Sequence, residues 1–169
     1  MFALVGMFAT ACEEGGIENG VNGPIVSCDH NKIWYTNGST SKLTLPSDLS
    51  AFGGASIVSN EYDTKKECWV ITFDRNVTTI GDEAFDDCRN LTSVTIPDSV
   101  TTIESHAFFG CTSLVEVYCK PTTPPSCEYS MFENNASGRK IYVPMESVKA
   151  YKSASVWSYY ANAIVGYDF

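Results

Sequence analysis

Apolar positions recur along the centre of the chain with a long period. Residues 77–99 read VTTIGDEAFDDCRNLTSVTIPDS and residues 100–119 read VTTIESHAFFGCTSLVEVYC. At an offset of about 23 residues, Val77, Ile80, Ala84, Phe85, Cys88, Leu91 and Val94 fall on Val100, Ile103, Ala107, Phe108, Cys111, Leu114 and Val117. Every coincident position is apolar or small, while Asp82, Glu83 and Asp86 give way to Ser105, His106 and Phe109. The repeat keeps its inside and varies its outside. The spacing Leu91-x-x-Val94-x-Ile96, recurring as Leu114-x-x-Val117-x-Cys119, alternates inward apolar with outward polar residues and predicts one half-buried strand per repeat. Ile80, Ala84, Phe85 and Cys88 have near-helical spacing and predict one or two turns of helix. Strands stacked in parallel at about 4.8 Å would form a continuous apolar ladder, which no single repeat could bury alone.

The same offset carried backward puts Ile71 and Phe73 under Val94 and Ile96, and Cys68 under Leu91. Carried forward with one extra residue, it puts Ile141-Tyr142-Val143-Pro144 beside Val94-Thr95-Ile96-Pro97, and Leu43-Thr44-Leu45-Pro46 echoes that strand. Beyond Pro144, apolar residues Val148, Tyr151, Ala154, Trp157, Tyr160, Ala161 and Ile164 follow at intervals of mostly three or four. They predict an amphipathic helix or helix pair beginning near Ser147, covering the end of the array. The fold class is therefore read as an α/β solenoid: a short array of parallel strands with repeats of about 23 residues and a C-terminal helical cap. Residues 25–67 are read as an irregular, strand-rich N-terminal cap, 68–144 as repeats and 145–169 as the C-terminal cap.

The run I-G-D-E-A-F-D-D-C-R-N-L-T-S-V-T-I-P, from Ile80 to Pro97, resembles the BspA-type leucine-rich repeat of surface proteins of gut and oral bacteria. The resemblance is strong over residues 68–119 and extends more loosely to YCKPTTPPSC and NNASGRKIYVP, which are similar to the closing region of such proteins. It implies a non-enzymatic cell-surface adhesion module that recognises a macromolecule, either a host matrix protein or a glycan. A structural spacer or subunit of an envelope complex is the alternative.

The first eleven residues, MFALVGMFATA, carry no charge and are too few to span a bilayer. Residues 1–11 are read as an export signal and the Gly/Asn-rich residues 12–24 as a flexible tether. Ala9-Thr10-Ala11-Cys12 resembles a bacterial lipobox, and Glu13 and Glu14 resemble an acidic surface-export tag. The resemblance implies lipidation of Cys12, with the chain exported as a surface-exposed outer-membrane lipoprotein whose lipid is its sole membrane contact. A buried terminal strand or helix is the competing reading of the apolar run.

Composition narrows the chemistry. Twenty acidic against eleven basic residues give a net charge of -9, which repels phosphate backbones, so nucleic acid is not expected as a partner. Cys88 and Cys111 occupy equivalent repeat positions and read as small buried core residues. Cys28, Cys68, Cys119 and Cys127 form no CxxC pair, so no metal is expected. Disulfide pairing among these six stays open, Cys119 with Cys127 included. The two histidines, His30 and His106, adjoin no nucleophile motif, and Asp82, Glu83, Asp86 and Asp87 read as a solvated edge. No catalytic residue and no cofactor are expected. What remains is the outer face of the strands: Thr72, Thr95, Tyr118 and Tyr142 are expected to form a row flanked by Ser93, Glu116 and Lys140, as a ligand-binding face. Asp98-Ser99-Val100 resembles a bacterial O-glycosylation motif, with Ser99 as acceptor.

Overall fold

The computed structural model describes residues 29–46 and 49–169. The expected export signal and tether, with Cys12 and Cys28, lie outside the described residues. Among the described residues ten strands are formed: β1 (Lys32–Thr36), β2 (Ile57–Asp63), β3 (Cys68–Phe73), β4 (Thr79–Ile80), β5 (Ser93–Ile96), β6 (Thr102–Ile103), β7 (Glu116–Cys119), β8 (Ser126–Cys127), β9 (Lys140–Pro144) and β10 (Ile164–Tyr167). Seven of them make one sheet in the order β10-β9-β7-β5-β1-β3-β2, and β4, β6 and β8 make a second. Within the large sheet β5, β7, β9 and β10 run parallel, as do the three short strands of the second. Each repeat contributes one strand to the large sheet, turns at a proline-led corner, contributes two residues to the small sheet, and returns through a stack of turns.

The interior is a set of columns, one residue per repeat. Phe85 stacks on Phe108 with centroids 5.1 Å apart, and Phe108 stacks on Phe132 at 5.4 Å. Phe52 closes one end of this spine against Phe85, and Trp157 meets Phe132 at the other. Ala84, Ala107 and Met131 form a parallel buried column, as do Val94, Val117, Ile141 and Ile164. A third repeat therefore follows the two plain ones, shifted by one residue, with Met131 and Phe132 standing where Ala107 and Phe108 stand. Its leucine is missing: Gly138 takes the place of Leu91 and Leu114, with φ +83° and open space where a side chain would sit.

Three expectations are corrected. The segments 80–88 and 103–111 form no helix. Glu83 and Asp87 have φ of 56° and 49°, and the equivalent His106 and Gly110 have 53° and 68°. Two left-handed residues per circuit open the coil, and its backbone groups bond sideways to the next repeat: Phe85 N–H to Ala107 O at 2.8 Å, Asp87 N–H to Phe109 O at 2.9 Å, Phe108 N–H to Met131 O at 2.9 Å. Among the described residues the α component of the α/β reading thus reduces to one helix, α1 (Val148–Ser153).

Second, β3 does not lie under β5. β1 is inserted between them, antiparallel to both, with Trp34 opposite Thr95 on one side and Val70 on the other. β1 wins this place because Ile33 and Tyr35 point inward and are fully buried, adding two large side chains to the core. β2 then pairs antiparallel with β3 and forms the sheet edge. Third, residues 43–46 form no strand; Leu43 and Leu45 pack on the core as irregular chain, and the Leu43 N–H donates to Tyr35 Oη at 3.0 Å.

The C-terminal segment closes the array as a mixed cap, with 3-10 turns at Met145–Ser147 and Trp157–Tyr160 flanking α1, and β10 returning to pair with β9. Its side chains address carbonyls of the proline-rich corner that no ladder serves. Tyr151 Oη donates to Pro121 O at 2.8 Å, Ser147 Oγ to Thr122 O at 2.7 Å, Trp157 Nε1 to Pro125 O at 2.8 Å and Tyr160 Oη to Tyr129 O at 2.7 Å. The aromatic stripe is a set of donors as well as an apolar cover.

Candidate functional site

Adjacent strands in register place outward side chains in rows across a sheet. One such row runs Trp34, Thr95, Tyr118, Tyr142, Val165, and the row beside it runs Thr36, Ser93, Glu116, Lys140. Thr95, Tyr118 and Tyr142 therefore stand together, and so do Ser93, Glu116 and Lys140. Thr72 does not join them: its partner on β1 is Lys32, two residues from Trp34, and Val70 holds the place in the row. Trp34 went unread in the sequence because it sits between Ile33 and Tyr35, so the alternation of β1 is masked by three apolar residues in succession.

Aromatic rings dominate this face. Tyr118 and Tyr142 lie 4.8 Å apart with planes 16° from parallel, and Tyr167 meets both edge-on at 5.4 and 5.6 Å. Phe169 continues the cluster, 5.1 Å from Tyr167. Two ammonium groups flank the indole of Trp34, Lys66 at 5.0 Å and Lys120 at 5.6 Å from its centroid, and Lys120 also reaches Phe169 at 6.0 Å. Tyr118 Oη donates to Glu116 Oε2 at 3.2 Å; burial, then the Glu116 charge, hold this phenol well above its ordinary range. Thr36 Oγ1 lies 2.7 Å from both Thr92 Oγ1 and Ser93 Oγ, giving a short hydroxyl seam at one side of the rings.

Charge is segregated between the two sides. The stack of turns exposes Asp82, Glu83, Asp86, Asp87, Glu104, Glu128 and Glu133. The outer face of the large sheet carries Lys66, Lys120 and Lys140 with Glu61 and Glu116. Among the described residues none of these three lysines forms an ion pair with a carboxylate.

The other candidates have structural partners. Ser99 Oγ lies 2.7 Å from Val77 O and 3.0 Å from His30 O, at the corner between repeats. His30 Nδ1 pairs with Asp98 Oδ1, and His106 Nδ1 lies 2.9 Å from Ser105 Oγ. Cys68, Cys88, Cys111, Cys119 and Cys127 are free thiols. Burial pushes Cys88 up to about 11 and Cys111, Cys119 and Cys127 up to about 12, so these remain thiols at neutral pH. Cys111 Sγ lies 3.0 Å from Phe85 O, and Asn135 at the equivalent place donates from Nδ2 to Phe108 O at 2.7 Å. The repeat cysteine is thus a weak donor to the neighbouring turn, and asparagine does the same work. A shallow open depression is lined by Ala136, Gly138, Arg139, Lys140, Asn162 and Ala163, where the third repeat lacks its leucine. Among the described residues no group of three or more His, Cys, Asp or Glu is placed to hold a metal ion, and no helix is long and apolar enough to cross a membrane.

No curated protein matches the chain. The BspA type Leucine rich repeat region matches it in 6 copies across residues 55–159. This span includes β2 and β3, although those strands leave the parallel stack. Leucine-rich repeat domains generally act as binding modules without catalysis, commonly for protein partners, and no catalytic family is indicated. On its columns of repeated core residues and on this match over more than half its length, the chain belongs to the BspA-type leucine-rich repeat family.

Proposed function

We propose that the chain is a non-catalytic adhesion module, a short solenoid that holds an extended macromolecule against the outer face of its large sheet. The observation that carries this reading is the cluster of Trp34, Tyr118, Tyr142 and Tyr167 with unpaired lysines around it. Aromatic side chains offer large contact area at low entropic cost, and the strands beneath fix their positions. The module is exported and held at the outer face of the cell by a lipid on Cys12, which puts the sheet within reach of host matrix proteins and glycans.

The test has two arms. Protease applied to intact cells removes a surface-exposed protein, and the intact mass of the native chain carries diacylglycerol at Cys12; protection from protease or an unmodified Cys12 refutes the localisation. The purified chain is then applied to immobilised matrix proteins and glycans beside Tyr118→Ser and Tyr142→Ser variants. Binding that survives both substitutions unchanged, or no binding at all, refutes the sheet face as the docking surface.

A further inference from the structure

At the first two levels of the array a fully buried leucine, Leu91 or Leu114, is followed by an uncharged residue, Thr92 or Val115. At the third level Gly138 replaces the leucine and Arg139 follows it. The Arg139 guanidinium carbon lies 4.8 Å from the centroid of the Phe132 ring and 5.4 Å from that of Tyr160, two rings set nearly at right angles. Nη1 donates to Phe132 O at 3.2 Å and to Asn135 Oδ1 at 3.0 Å, which fixes the plane of the group. The other edge, Nε with Nη2, is one on which carboxylates dock through paired N–H groups. Nε is sealed from solvent with no acceptor, and Nη2, which is not sealed, has none among the described residues either. No carboxylate there forms an ion pair with Arg139, and burial draws its pKa below the ordinary value while Tyr160 works the other way. A desolvated cation without a counter-ion and a buried donor without an acceptor both cost stability. The two rings offset part of the first cost, and nothing among the described residues supplies the missing acceptor.

Arg139 is one wall of the shallow depression, about 300 Å³ in volume, between the turn that enters β9 and the residues that enter β10. The small residues Ala136, Gly138 and Ala163 line it with Lys140 and Asn162. Asn162 is exposed and its side chain has no partner among the described residues, so its amide has both a donor and an acceptor to offer. We propose that this depression holds the C-terminal residue of a polypeptide partner, its carboxylate on the Nη2 side of Arg139 and its backbone N–H on the Asn162 amide. The volume lies at the low end for ligand sites and suits one residue. A chain terminus carries a carboxylate and an amide N–H on the same carbon, the pair that a guanidinium and a carboxamide answer together. An internal aspartate or glutamate sets its carboxylate farther from the backbone, and a phosphate brings no N–H. Arg139 and Lys140 stand side by side on a chain of net charge -9, so an anion is drawn here and repelled by the acidic stack of turns. The site is separate from the sheet-face reading, for it uses none of Trp34, Tyr118 or Tyr142.

Heteronuclear NMR of the full chain, titrated with acetyl-Gly-Gly-Ala, tests this through the Nε–H signal of Arg139, assigned from that residue's own backbone amide. Sealed from water, this proton exchanges slowly enough to be followed. Expected is a saturable shift of the Nε–H signal and of the Gly138 and Ala163 amides, with a midpoint in the millimolar range. The same peptide with an amidated C-terminus lacks the charge and binds at least tenfold more weakly, the loss of one charge-assisted hydrogen bond. Asn162→Asp changes one exposed side chain and keeps the fold, which an unchanged spectrum elsewhere checks; its carboxylate repels that of the peptide and weakens binding tenfold or more. Acetyl-Gly-Asp-Gly-amide and inorganic phosphate bind more weakly than the free acid. No saturable shift with the free acid, equal binding of the amidated peptide, or unchanged binding by folded Asn162→Asp overturns the proposal. So does equal or tighter binding of the internal aspartate or of phosphate, which makes the depression a general anion site.

Discussion

Tyr151→Phe isolates the role of the cap as a donor of hydrogen bonds, because it removes one oxygen and leaves the ring. Tyr151 is fully buried, its ring 4.9 Å from Trp157, and its hydroxyl donates to Pro121 O while touching Cys119 Sγ at 3.4 Å. Burial and the adjacent thiol hold the phenol far above its usual value, so it is a protonated donor at any physiological pH. Pro121 is itself buried. Without the hydroxyl its carbonyl keeps the desolvation cost of folding and loses its partner, a penalty of about 1–3 kcal/mol. With a urea slope of about 2 kcal/mol/M for a protein of this size, the unfolding midpoint falls by roughly 0.5–1.5 M with the slope unchanged. A midpoint within about 0.2 M of the parent would show that the carbonyl is served otherwise, and the account of the cap as a carbonyl clamp would fail.

Phe108→Ala removes the middle ring of the spine; truncating a buried phenylalanine costs about 3–5 kcal/mol, and a melting point lowered by roughly 10 °C or more is expected by calorimetry. Two substitutions in the turn stack act in opposite directions. Gly110→Ala places a Cβ 2.4 Å from Asp87 Oδ1 at φ +68° and destabilises by more than about 1 kcal/mol, whereas Glu83→Gly relieves an exposed left-handed residue and stabilises by about 0.5–1 kcal/mol, both read by urea titration. The buried thiols give a pH signature. Cys88, Cys111, Cys119 and Cys127 are raised in the folded chain from 9.0 to about 11–12. Unfolding therefore favours their deprotonation at high pH; their contribution to stability is intact below pH 9 and lost as pH rises to about 12. Replacing Cys111 with Ala should flatten part of that alkaline decline. Under native conditions at pH 8 these four thiols should resist alkylation until denaturant is added.

The repeat core was legible because a column must hold the same kind of side chain at each level, so Phe85 and Phe108, or Ala84 and Ala107, announce one another. The third level was harder to read: Met131 replaces alanine, Gly138 replaces leucine, and one extra residue shifts the register. The false helix arose because Ile80, Ala84, Phe85 and Cys88 are spaced as a helix would space them, yet inward positions of a tightly turning coil recur at similar intervals. Asp87, Gly110 and Asn134, which align from repeat to repeat and all tolerate positive φ, carried the opposite signal. β1 was opaque for another reason. Its inward Ile33 and Tyr35 flank an outward Trp34, so core and outer surface use the same kind of residue, and only the pairing with β3 and β5 separates them.

That last ambiguity explains where a binding face can arise in this fold. On the turn side, left-handed residues at 83, 87, 106, 110 and 134 disfavour β-branched side chains, and most of the exposed side chains of the first two turns are acidic. On the strand side the backbone hydrogen bonds lie in the plane of the sheet and leave outward positions free to carry large rings. The parallel register of β7 and β9 sets Tyr118 beside Tyr142, while Tyr167 on β10 lies two residues beyond that row. The insertion of β1 adds Trp34 to this row, two strands from Tyr118, with Thr95 between. A continuous parallel array with a tyrosine at every level would present a closed stack of edges. The antiparallel strand that breaks the array instead ends the row with an indole opposite Thr95.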